Sequence, residues 1–139
     1  MKQKIKMCIV NYLLCVIILG LIDFPYLYVN RNLYIQKTKA ISGRELTSRY
    51  YSAGIVYLAL ALGIVVLVLP RVRINEGINA IIQDSILYGG VFGIATYATF
   101  DFTAHFMFKD WDLMVSIMDT LWGAVLCSIT TICIALLTK

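Results

Sequence analysis

Residues 85–108 read Ser-Ile-Leu-Tyr-Gly-Gly-Val-Phe-Gly-Ile-Ala-Thr-Tyr-Ala-Thr-Phe-Asp-Phe-Thr-Ala-His-Phe-Met-Phe. A membrane-spanning helix needs about 20 consecutive, mostly apolar residues, and this stretch meets that length. It also carries one carboxylate, Asp101, and one imidazole, His105. On insertion scales a carboxylate at the centre of a membrane helix costs roughly 2.5–3.5 kcal/mol, so its presence is by default a site hypothesis. The fold turns on whether the rest of the chain treats this segment as a membrane span.

It does. Three more apolar stretches of spanning length surround it, at about 7–28, 52–69 and 113–138, the second stopped by Pro70. Of the 139 residues 60% are hydrophobic, and the mean hydropathy is +0.82, both well above an ordinary soluble domain. The expected fold class is all-α: four transmembrane helices in a bundle, a single membrane domain over 1–139. The N-terminal Lys2, Lys4 and Lys6 before an apolar run look like the start of a signal peptide. Gly20-Leu21-Ile22-Asp23 is a poor cleavage site, however, and an uncleaved first helix is expected.

The connections carry the charge. Val29 to Tyr51 holds Arg31, Lys37, Lys39, Arg44 and Arg49, with Glu45 as the one acid. Ile35, Ile41 and Leu46 allow part of it to lie on the membrane surface as an amphipathic segment, and a solvated loop is the competing reading. Arg71 to Asp84 is short and polar, and Lys109-Asp110-Trp111-Asp112 reads as a tight turn with an interfacial tryptophan. The net charge of +4 comes from 12 basic and 8 acidic residues. Its placement between apolar runs suits membrane lipid headgroups as partners. No basic stripe with interleaved aromatics appears, so nucleic acid is not an expected partner. Lys2, Lys4, Lys6, Arg71, Arg73 and Lys139 fall on one side of the membrane, and the first connection plus Lys109 on the other. The positive-inside comparison is a tie and leaves orientation open. Cys8, Cys15, Cys127 and Cys133 all lie in apolar runs without a CxxC pair and read as small buried hydrophobes.

Three aspartates interrupt the spans. Asp23 lies about five residues before the first helix exits, Asp101 about seven before the third ends, and Asp119 about six into the fourth. At 1.5 Å per residue this sets all three roughly 8–11 Å inside the same boundary, where a compact bundle can bring them to one cavity. Tyr97, Asp101 and His105 follow i, i+4, i+8 spacing and are expected to share a face. Trp122 shares the face of Asp119. Pro25 removes a backbone donor and frees the carbonyl of Leu21 near Asp23, a polar niche tolerated in a membrane only where it faces protein or water. Gly89 and Gly93 form a GxxxG step, and Ala59 and Gly63 a small-xxx-small step, both permitting close helix contact. Packing alone is the expected role of these glycines.

The segment from Gly89 to Thr103, ending Tyr97-Ala98-Thr99-Phe100-Asp101-Phe102-Thr103, resembles the central motif of the small membrane proteins grouped as domain-of-unknown-function family 2177. Trp111 and Asp119-Thr120-Leu121-Trp122-Gly123 resemble its second motif, and Asp23 its early aspartate. The resemblance spans nearly the whole chain. It implies a four-helix membrane protein and no particular activity. The family pattern has an asparagine after the threonine of the central motif. Here that position is Ala104, followed by His105, so a role for that amide does not carry over.

Asp23, Tyr97, Asp101, Thr103, His105, Asp119 and Trp122 are therefore the candidate binding residues. Burial of a carboxyl disfavours its charged form and a neighbouring carboxylate adds to that, so such groups suit proton-linked work. Three carboxylates and one imidazole do not demand a metal, and no cofactor is indicated. Three functions stay open. The first is binding or transport of a small molecule, ion or proton at the aspartate cluster. The second is a membrane enzyme acting on a lipid, with Asp101 or Asp119 as general acid or base and Tyr97 or His105 assisting. The third is a structural or accessory subunit whose aspartates hold the bundle together. Against the second, the chain has no nucleophile elbow, phosphate-cradling glycine loop or HExxH motif. Four helices enclose little volume, which favours a homodimer.

Overall fold

A computed structural model describes residues 2–43 and 49–139, with side chains from Cys8 onward. Arg44, Glu45 and Leu46 of the first connection lie outside the described residues. The chain forms α1 (Lys2–Ser42), α2 (Tyr50–Gly63), α3 (Ile78–Asp84), α4 (Gly90–Met107) and α5 (Leu113–Leu137). A π-helical turn at Ile64–Val68 and a 3-10 turn at Leu69–Arg71 extend α2, and a second π turn at Ser85–Gly89 joins α3 to α4. The result is four helical segments long and apolar enough to span, Cys8–Ser42, Tyr50–Arg71, Ile78–Met107 and Leu113–Leu137.

The polarity of the packing is the reverse of a soluble bundle. Leu21, Phe24, Val91 and Phe106 stand exposed, while Asp23, Asp101, Ser116, Thr130 and Thr131 are buried. Hydrocarbon solvates leucine as well as a protein core does, so apolar burial gives little drive there, whereas polar groups must find partners inside. The chain is a multi-pass integral membrane protein on this ground. Its core joins Cys15 and Leu19 of α1, Leu60 and Ala61 of α2, Ile64 and Val65 of the first π turn, and Leu126, Cys127 and Ile134 of α5. Cys15 and Cys127 are free and buried there, Cys133 is half-buried, and Cys8 is exposed.

Close backbone approach sets how α4 meets α5. A Cβ built on Gly93 would run into the carbonyl of Gly123 and the amide of Ala124. One on Gly89 would lie 2.9 Å from the Cys127 carbonyl oxygen. The GxxxG step is thus spent on the α4–α5 contact. Gly63 faces the ring of Phe92, while Ala59 is exposed.

Two boundaries differ from the sequence reading. The first helix does not end near Tyr28 but continues to Ser42, 41 residues in all and roughly 60 Å long, about twice the hydrocarbon thickness. The segment read as a surface helix or loop is the outer part of α1, held because it lies against α5. Pro25 sits inside α1 without ending it. The third span starts at Ile78, not Ser85, because Asn79 and Gln83 point outward and Asp84 is tied down. Arg73 donates to Asp84 from its backbone N–H at 2.9 Å, from Nε at 2.9 Å and from Nη2 at 3.0 Å. A bidentate guanidinium is the donor that best matches a carboxylate.

Asp112 caps α5. Its Oδ1 accepts the amides of Met114 at 2.8 Å and Val115 at 3.2 Å, and its Oδ2 accepts the ammonium of Lys37 from α1. The Lys37 ammonium, followed by those amides, holds the Asp112 carboxyl below its usual range. A depressed value means its stabilisation is present above the ordinary aspartate value of about 3.9 and is lost as pH falls through the lowered one. Asp112→Asn is therefore expected to melt below the wild type at neutral pH, with the gap closing in strong acid. A gap that stays constant from neutral to acid pH would argue against the ion pair.

Candidate functional site

Two carboxylates face one cavity of about 160 Å³ at the junction of α1, α4 and α5. Its wall is made by Asp23, Tyr26, Leu27 and Tyr34 of α1, Tyr97 of α4, and Asp119 and Trp122 of α5. Asp23 ties three helices: its Oδ1 accepts from Trp122 Nε1 at 2.7 Å and its Oδ2 from the Tyr57 hydroxyl of α2 at 2.7 Å. Asp119 Oδ1 accepts from the Tyr26 hydroxyl at 2.5 Å and from that of Tyr34. Tyr26 stacks on Trp122 with ring centroids 4.3 Å apart and planes 5° from parallel. The Tyr97 ring lies over Gly123, where a Cβ would collide with it. The glycine of the second motif thus makes room for the tyrosine of the first.

A second cavity of about 130 Å³ adjoins this one toward the Asp112 end of α5. Tyr34 and Asp119 line both, and Lys37, Trp111 and Asp112 line only the second.

Asp101 is placed differently. It is 1% exposed and does not line either cavity. Its Oδ1 has no hydrogen-bond partner among the described residues. Its backbone carbonyl accepts from Ser116 Oγ at 3.3 Å, which fixes α4 beside α5 at this level. Asp23 meets α5 at Trp122, about one helical turn on from Asp119.

Thr103 and His105 are exposed and away from the cavity. His105 Nδ1 lies 3.1 Å from the Trp111 carbonyl oxygen, at the turn between α4 and α5. A helix has 3.6 residues per turn, so each i+4 step advances about 40°, and two steps carry His105 about 80° off the Tyr97 face. Tyr26 and Tyr34 line the cavity and Tyr57 donates to Asp23, and none of the three was among the sequence candidates. Tyr34 sat in a presumed connection, and Tyr57 is separated from Asp23 by a loop that periodicity does not fold.

The ion pairs among the described residues are Lys37–Asp112, Arg73–Glu76 and Arg73–Asp84. None involves Asp23, Asp101 or Asp119, and the described donors to Asp23 and Asp119 are neutral. Among the described residues no group of three or more His, Cys, Asp or Glu side chains is placed to hold a metal ion.

A family model described as "Predicted membrane protein (DUF2177)" matches residues 8–136. The chain belongs to that family. No curated protein and no solved structure matches it. Within this DUF2177 chain, the stretches that carry the family resemblance come together in space. Tyr97 and Gly123 touch, Asp119 and Trp122 share a wall, and Asp23 reaches across from α1 to Trp122.

Proposed function

We propose that this membrane protein binds a small cation in the cavity between α1, α4 and α5, as a site of uptake or passage across the bilayer. One observation carries the reading. Asp23 and Asp119 face a cavity at the depth of the spans, and every described donor to them is a neutral hydroxyl or indole. Neutral donors fill the lone pairs of a carboxylate but leave its charge in place. An uncompensated charge away from water is costly, and a proton or a bound cation relieves that cost.

The test is cation-driven flux in proteoliposomes holding the full chain. Asp23→Asn and Asp119→Asn are expected to reduce uptake to that of protein-free vesicles, while Glu76→Gln, at an exposed position, leaves it unchanged. Wild-type flux in both aspartate variants would sink the proposal.

A further inference from the structure

We infer that the cation this cavity selects is a small organic ammonium ion rather than a bare metal ion. The inference rests on the proposed cation site and narrows its ligand class.

The wall chemistry argues for it. Four of the residues around the cavity are aromatic, namely Tyr26, Tyr34, Tyr97 and Trp122, and two are the carboxylates Asp23 and Asp119. Ring faces attract a cation through the ring quadrupole, with tryptophan the strongest, and aromatic cages suit alkylated ammonium groups; Tyr26 and Trp122, stacked on each other, each keep one face for such a contact. A bare cation needs something else. Ca²⁺ takes six to eight oxygen ligands, and Mg²⁺ demands a near-octahedral set. Here the carboxylate oxygens are already engaged: both of Asp23, and Oδ1 of Asp119. Too few oxygens remain to replace a metal ion's hydration shell. An alkylammonium has a weaker shell to lose, and its carbon surface can lie on the rings and on Leu27. Size sets the upper bound. Pockets for drug-sized ligands run to about 300–1,000 Å³, and this one holds about 160 Å³, which leaves room for an ion of only a few heavy atoms.

The geometry also supplies a reporter. Trp122 forms part of the wall, and Trp111, the other tryptophan, lies at the turn beyond Asp112. In the full chain carrying Trp111→Phe, in detergent at constant ionic strength, Trp122 fluorescence is titrated with tetramethylammonium, methylammonium, Na⁺ and K⁺. Saturable changes with the two ammonium ions are expected, and none with Na⁺ or K⁺. Tyr97→Leu, which removes a ring, is expected to weaken ammonium binding roughly 5- to 30-fold, while Tyr97→Phe, which keeps the ring, weakens it less. Asp119→Asn, confirmed folded by circular dichroism, loses the response.

Na⁺ or K⁺ saturating as tightly as the ammonium ions, with the same dependence on Asp119, would overturn the ammonium assignment and leave the small-cation reading standing. Equal binding by Tyr97→Leu and Tyr97→Phe would remove the cage argument. Ammonium binding undiminished in folded Asp119→Asn would place the ion elsewhere and overturn the inference. No response to any of the four ions would overturn both readings.

Discussion

Gly93→Ala is expected to destabilise the protein strongly, while the same change at Gly20 is neutral or mildly stabilising. At Gly93 the new methyl group meets the Gly123 carbonyl and the Ala124 amide, which are backbone atoms of α5 and have no rotamer to move away. The α4 and α5 helices must part, and their separation also disturbs the Gly89 contact one turn away. Overpacking of a tight contact costs about 1–3 kcal/mol and occasionally more, and an obstacle made of backbone belongs at the upper end. Gly93→Leu is expected to yield no folded protein. At Gly20 nothing lies within 4 Å of a built Cβ, so only the glycine's own helix penalty is removed, about 0.5–1 kcal/mol in favour of alanine. Thermal unfolding in one detergent compares the two. Equal melting temperatures for Gly93→Ala and the wild type would mean that the helices do not approach as closely as described.

Asp23→Ala is expected to lower stability by about 1–3 kcal/mol, as it releases both Trp122 of α5 and Tyr57 of α2 from α1. Interhelical hydrogen bonds in membranes average about 0.6 kcal/mol and reach about 1.7, so two of them give that range. Asp23→Asn should fall between the wild type and Asp23→Ala. Its one carbonyl oxygen can accept from one of the two donors, and its amide then faces the other. The same series separates structure from ligand binding. A folded Asp23→Asn protein that melts near the wild type but no longer takes up cations has lost a site. A protein whose loss of uptake tracks its loss of melting temperature has lost a clasp. Asp23→Ala melting with the wild type would show that Asp23 does not tie the three helices.

Length and hydropathy alone determined the four spans, the all-α class and the membrane setting. A helix is the local structure that satisfies its own backbone in hydrocarbon, so about 20 apolar residues read directly as a span. The motif residues were legible too, since a carboxylate or tryptophan within such a run stands out against its neighbours. What faced what was not legible. The outer half of α1 looked like a connection because its polar residues match water as well as they match a helix. Only the approach of α5, with Asp119 and Asp112 waiting for Tyr34 and Lys37, makes it part of the bundle. Likewise Asp23, Asp101 and Asp119 looked alike by depth. The tertiary structure separates them, turning Asp23 and Asp119 toward a cavity and burying Asp101 outside its wall, because helix rotation is set by contacts between helices, the glycines of α4 against α5 and the Trp122 and Tyr57 bonds to Asp23, and not by periodicity within one helix.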